Sequence, residues 1–139
     1  TLVGLLLFCC ITAGGCSGDS NSKELAAFNG VWDFVAIESN GQVTSPKEIR
    51  GQRWLVKGNE ITAIVPGVAD HKMTFKIIAD KTPKELDIIP AYAPYEGKVT
   101  PAIYTLESGR LRICSGSPDG NSVRPTTFSD AMVFQKVVR

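Results

Sequence analysis

From Val31 onward, apolar and polar residues alternate with a period of two, the signature of half-buried strands. VWDFVAIES (Val31–Ser39) places Trp32, Phe34 and Ala36 on one face. RWLVK (Arg53–Lys57) sets Trp54 and Val56 against Arg53, Leu55 and Lys57, and EITAIV (Glu60–Val65) groups Ile61, Ala63 and Val65. KMTFKI (Lys72–Ile77) is the cleanest alternation, with Met73, Phe75 and Ile77 opposite Lys72, Thr74 and Lys76. ELDII (Glu85–Ile89), AIYTLE (Ala102–Glu107), RLRIC (Arg110–Cys114) and MVFQKVV (Met132–Val138) complete eight predicted strands.

The segments between them read as tight connections. Lys57-Gly58-Asn59-Glu60 and Glu107-Ser108-Gly109-Arg110 supply Gly or Asn where hairpin turns need positive φ, and Asn40-Gly41 is a strong turn signal. Ser45–Gly51 reads as one helical turn capped by Ser45, with Pro46 at its first position. Ahead of the strands, SKELAAFNG predicts a short helix capped by Ser22 and ended by Gly30. No segment has the length or period of a crossover helix, so parallel βαβ units are not expected. An all-β domain of this size must hide its strand edges. An eight-stranded antiparallel up-and-down barrel does so completely, and a two-sheet sandwich is the competing arrangement.

The first residues follow another rule. Leu2–Ile11 is apolar except for Gly4, and every Lys, Arg, Asp and Glu lies from Asp19 onward. The run is shorter than the roughly 20 residues of a spanning helix, and small residues follow it, as in an export signal. Without a basic n-region or initiator Met, it reads as a signal truncated at its front. Ala13-Gly14-Gly15-Cys16 resembles the lipobox of bacterial lipoproteins, departing from it at Ala13, where Leu is usual. That resemblance implies residues 1–16 as signal and lipobox, Cys16 as the lipidated residue, residues 17–22 as a polar tether and residues 23–139 as the folded domain. Two or more acyl chains give the stable anchoring that a single chain does not. Cys9 and Cys10 would leave with the signal, so no disulfide framework is expected, and Cys114 reads as a small buried hydrophobe.

Composition narrows the remainder. The 139 residues allow one domain, and a net charge of +1 gives no field for nucleic acid. His71 is the single histidine, flanked by Asp70 and Lys72, and reads as an exposed residue beside a turn. Glu85 and Asp87 share one strand face, and SPDGNS (Ser117–Ser122) reads as a Pro-Asp-Gly turn rather than a calcium loop. No catalytic residue, metal ligand or cofactor is therefore assigned. Arg124, held extended by Pro125, reads either as a clamp on its loop or as the partner of an anionic ligand group. Trp54, Phe75 and Tyr104, on the apolar faces, are expected to line an interior with Arg124 nearby, while Tyr92 and Tyr95 in PAYAPYEG (Pro90–Gly97) form a loop at one end.

Gly30-Val31-Trp32 resembles the opening of a lipocalin barrel, in which the Trp plugs the closed end under a basic residue of the last strand. Here Arg139 or Lys136 stands in that place. The longer resemblance is to the lipocalin-like domains of unknown function abundant in planctomycete bacteria, often exported or lipidated. FNGVWDFVAIESNGQ, IRGQRWLVKGNEIT, FKIIADKTPKELDI, EGKVTPAIYTLESGRLRICSG, RPTTFSD and VFQKVVR carry it, with Ala102 where Gly is usual. It implies a lipocalin-like barrel and no reaction. The expected protein is thus a monomeric, extracytoplasmic, membrane-anchored barrel that is not an enzyme and holds a small apolar or amphipathic molecule. The alternative is a solidly packed barrel serving as an interaction module of the cell envelope.

Overall fold

The computed structural model describes residues 16–117 and 119–138, with side chains from residue 21 onward. One helix, α1 (Cys16–Phe28), precedes nine strands: β1 (Gly30–Ser39), β2 (Gln42–Thr44), β3 (Arg53–Lys57), β4 (Glu60–Ile64), β5 (His71–Ile78), β6 (Lys84–Pro90), β7 (Thr100–Glu107), β8 (Arg110–Ser115) and β9 (Asp130–Lys136). All pairings are antiparallel between neighbours in sequence, apart from β1 with β3 and the closing pair of β1 with β9. Eight strands therefore close into an up-and-down barrel rather than a sandwich, with β2 appended as a short exposed hairpin arm on β1.

Alternation places the core as the sequence predicts. Met73, Phe75 and Ile77 of β5 and Leu86 and Ile88 of β6 face inward and are buried, as are Trp54 and Val56 of β3. The turns are built as their residues demand, with Asn40 and Gly41 both at positive φ, and Ser108 and Gly109 likewise.

Three sequence expectations require correction. The register shifts at Val35, between Phe34 and Ala36, so Ile37 pairs with inward-facing Met132 while Ala36 pairs with Val133, outside the main core. A β-bulge of this kind flips every later side chain to the other face. The Ser45–Gly51 turn is a single 3₁₀ turn at Lys47–Ile49, and the Ser45 hydroxyl donates to the Val35 carbonyl (2.8 Å) instead of capping it. Helix α1 begins at Cys16, not at a Ser22 cap, and covers the stretch expected to be a tether. Its early turns are held to the barrel, because Asn21 Oδ1 accepts the Ala79 N–H at 3.0 Å.

The outer face carries packing of its own. Ile103, Cys114 and Val133 point outward by alternation yet are buried. The long β8–β9 connection crosses this face. Arg124 within it reaches the carbonyls of Ala102 (2.9 Å) and Leu86 (3.3 Å), and Phe128 lies 4.8 Å beneath the Arg112 guanidinium, which pairs with Glu38. Cys114 is a buried free thiol on this outer face, as the sequence predicts.

Candidate functional site

The two ends of the barrel are finished differently. At one end α1 acts as a stopper. Phe28 is fully buried, 5.5 Å from the Phe75 ring and edge-on to Tyr104 at 5.2 Å. Trp32 is also fully buried, and its indole N–H donates to the Phe28 carbonyl at 2.8 Å. The Lys136 ammonium lies 5.5 Å from the Trp32 ring centre and donates to the Ala27 carbonyl at 3.2 Å. A cation there meets the last carbonyls of a helix, where the macrodipole is negative. Gly30, at φ +133, is what admits it: a Cβ would stand 2.9 Å from Lys136 Cε. Arg139, the other residue considered for the plug, lies outside the described residues, as do residues 1–15 of the leader and the side chain of Cys16.

Glu24 completes the stopper. Its carboxylate accepts the Tyr104 hydroxyl at 2.8 Å and pairs with Lys84 at 3.0 Å. Burial, the hydrogen bond to Glu24 and the charge of that carboxylate all push the Tyr104 phenol well above its ordinary range. Phe28 takes up the volume between Phe75 and Tyr104 inside the barrel, and Tyr104 otherwise edges only a groove of about 240 Å³ at this end, beside Lys81, Lys84 and Leu106.

The opposite end is open. A cavity of about 310 Å³ is walled by Trp54, Ala63, Met73, Ile88, Pro90 and Met132, with His71, Tyr92, Thr100, Ser115 and Gly116 completing it. Trp54 packs 4.4 Å from Phe134, which stacks in turn on Phe34 at 4.9 Å, and this aromatic group separates the cup from the stopper. His71, the first residue of β5, is half-buried rather than exposed: Tyr92 stacks on its ring at 4.3 Å with an interplanar angle of 15°. Tyr95 stands edge-on to Tyr92 at 6.1 Å. Burial, then the neighbouring Tyr95 phenol, raise the Tyr92 pKa. The Tyr92 loop is pinned to β5 by the Ala91 N–H donating to the Lys72 carbonyl at 2.9 Å.

Thr100 is the polar anomaly of this wall. It is 5% exposed, and its hydroxyl is the one buried side-chain polar atom among the described residues with no hydrogen-bond partner. A buried hydroxyl left so costs about 1–3 kcal/mol. No Lys, Arg, Asp or Glu lines the cup. Its offering is apolar wall, hydroxyls and one imidazole at the mouth, a set suited to holding a molecule.

Arg124 stands elsewhere, on the outer surface. Its Nη2 donates to Asp87 at 2.6 Å, its Nε lies 3.5 Å from Glu85, and Nη1 spans the β6 and β7 carbonyls. The guanidinium thus ties β6 to β7 from outside at the Leu86–Ala102 pair. Of the four residues expected at a ligand, only Trp54 lies in the cup. Larger grooves of about 420 and 450 Å³ run along the outer surface, beside Arg110, Arg112 and Gln135 and beside Asp33 and Arg53, and charged side chains line both. Comparison with family models, with curated proteins and with solved structures finds no match.

Proposed function

We propose that the chain is a lipocalin-like binding protein, anchored outside the cytoplasm through a lipid on Cys16, that holds a small apolar or amphipathic molecule in the open cup as a monomer. The observation carrying the reading is the cup: about 310 Å³ of mostly apolar space at one end of a closed barrel. The lipocalin-like assignment is supported by Gly30-Val31-Trp32, by the Lys136 ammonium over the Trp32 ring and by closure of β1 on β9. The anchor is supported by the apolar leader and Gly14-Gly15-Cys16. The reading assigns no reaction and no nucleic-acid partner.

The second reading, a docking module of the envelope, draws on the solid stopper half and on exposed Val43, Val68, Val99 and Val123 in the connections of the open end. The cup favours the first. Native mass spectrometry of the full chain purified from its host tests it. A small molecule retained at one per chain is expected; a bare mass, with no uptake of added apolar compounds, overturns it. For the anchor, Cys16→Ser is expected to move the protein from membranes to the soluble fraction, and unchanged partitioning would refute it.

A further inference from the structure

The cup is small, uncharged and carries one unsatisfied hydroxyl, and these three properties define its occupant. We infer that it takes a neutral molecule of one or two fused rings whose single polar group hydrogen-bonds Thr100. This deepens the binding reading and rests on it.

Size excludes a long chain. A cavity of about 150 Å³ holds one benzene, so about 310 Å³ suits roughly twice that bulk. The space does not continue downward. Beneath the cup, Phe34, Trp54 and Phe134 pack ring to ring, and Phe28, Phe75 and Tyr104 fill the barrel from there to α1. A tail of a dozen or more methylenes has no channel to enter.

Charge excludes an acid or an amine. A buried ion without a counter-charge is strongly disfavoured, and no Lys, Arg, Asp or Glu lines the cup. A carboxylate would find only His71, at the mouth, where Tyr92 already covers the ring. Flat apolar walls, with the Trp54 indole among them, suit a ring in offset or edge contact. The polar demand comes from Thr100. A hydroxyl donates once and accepts twice, and this one does neither to any described residue. The oxygen itself is enclosed, and the ligand meets it after one staggered step about χ1 carries it to the cup-side position beside it.

Equilibrium dialysis of the full chain against a naphthol, naphthalene, a naphthoate and palmitate tests the assignment. Naphthol is expected to bind about three- to tenfold more tightly than naphthalene, the worth of one net hydrogen bond, with naphthoate and palmitate weaker than both. Thr100→Val, which keeps the side-chain shape, should bring naphthol to the level of naphthalene and leave naphthalene unchanged. Thr100→Ser should keep the preference, and circular dichroism verifies that both variants fold. Preferred binding of palmitate or naphthoate, equal binding of naphthol and naphthalene, or a naphthol preference that survives Thr100→Val would overturn this inference while leaving the binding reading intact. Failure of all four to bind would overturn the binding reading itself.

Discussion

The stopper end and the open end of the barrel are built from the same strands and the same alternation, yet they treat polar groups in opposite ways. At the stopper, the Trp32 N–H, Tyr104 hydroxyl, Lys136 ammonium, Glu24 carboxylate and Asn29 amide oxygen each have a partner within the protein. At the cup, Thr100 has none, and the walls enclose space instead of side chain. The stopper half is finished for stability. The cup half forgoes packing that a few larger side chains would supply, and stability forgone at a concave site is the usual mark of function.

Substitutions at the two ends separate these roles, and the largest effect is expected at the stopper. Phe28→Ala opens a void between Phe75 and Tyr104 and should cost about 3–5 kcal/mol, read as a lower midpoint in urea unfolding. Gly30→Ala forces a Cβ into Lys136 at a positive φ and should cost about 1–3 kcal/mol. A cost near zero would mean that Lys136 over Trp32 is not constrained as described.

Tyr104→Phe removes the hydroxyl from Glu24 and should cost about 1–2 kcal/mol at neutral pH. It should also change the alkaline limb of stability. In the unfolded chain the phenol ionises near its ordinary value of 10.0, whereas in the folded protein burial and Glu24 keep it protonated to higher pH. The folded state then holds the proton longer, so the Tyr104 contribution is intact below pH 10.0 and declines above it. Comparing wild type with the Phe variant across that range isolates the decline, which should be shallower in the variant. At the cup, Ala63→Met adds bulk to empty space and should change stability by no more than about 0.5 kcal/mol, while abolishing naphthol binding. A large destabilisation there would mean the cup is packed core.

Much of the barrel was legible because strand alternation is local. All eight strands, their turns and Gly30 with Trp32 follow from neighbours in sequence. The bulge at Val35 was not legible, since the residue that slips out of phase is decided by pairing with β9, about a hundred positions away. The start of α1 was missed for a related reason: SGDSNS is polar and reads as loose, and only its docking through Asn21 to Ala79 reveals otherwise. The site was the least legible part. Alternation tells which residues face inward but not at which end of the barrel they stand, so Trp54 was grouped with Phe75 and Tyr104, which lie beyond the aromatic floor. His71 read as a turn residue because its cover, Tyr92, comes from another loop. Thr100 carried no signal at all. It precedes Pro101 at a strand start expected at Ala102, and its significance lies in a missing partner.

The central claim, one end filled and the other a binding cup, is tested most directly by methyl-resolved NMR of the full chain during titration with a naphthol. The chain has 2 methionines, and both Met73 and Met132 line the cup, while Ile77 is buried at the α1 end of β5. Ring-current shifts at both methionine methyls, saturating together with the Ile77 methyls unmoved, are the predicted result. Methionine signals that stay in place as the ligand saturates, or an Ile77 shift of equal size, would contradict the account.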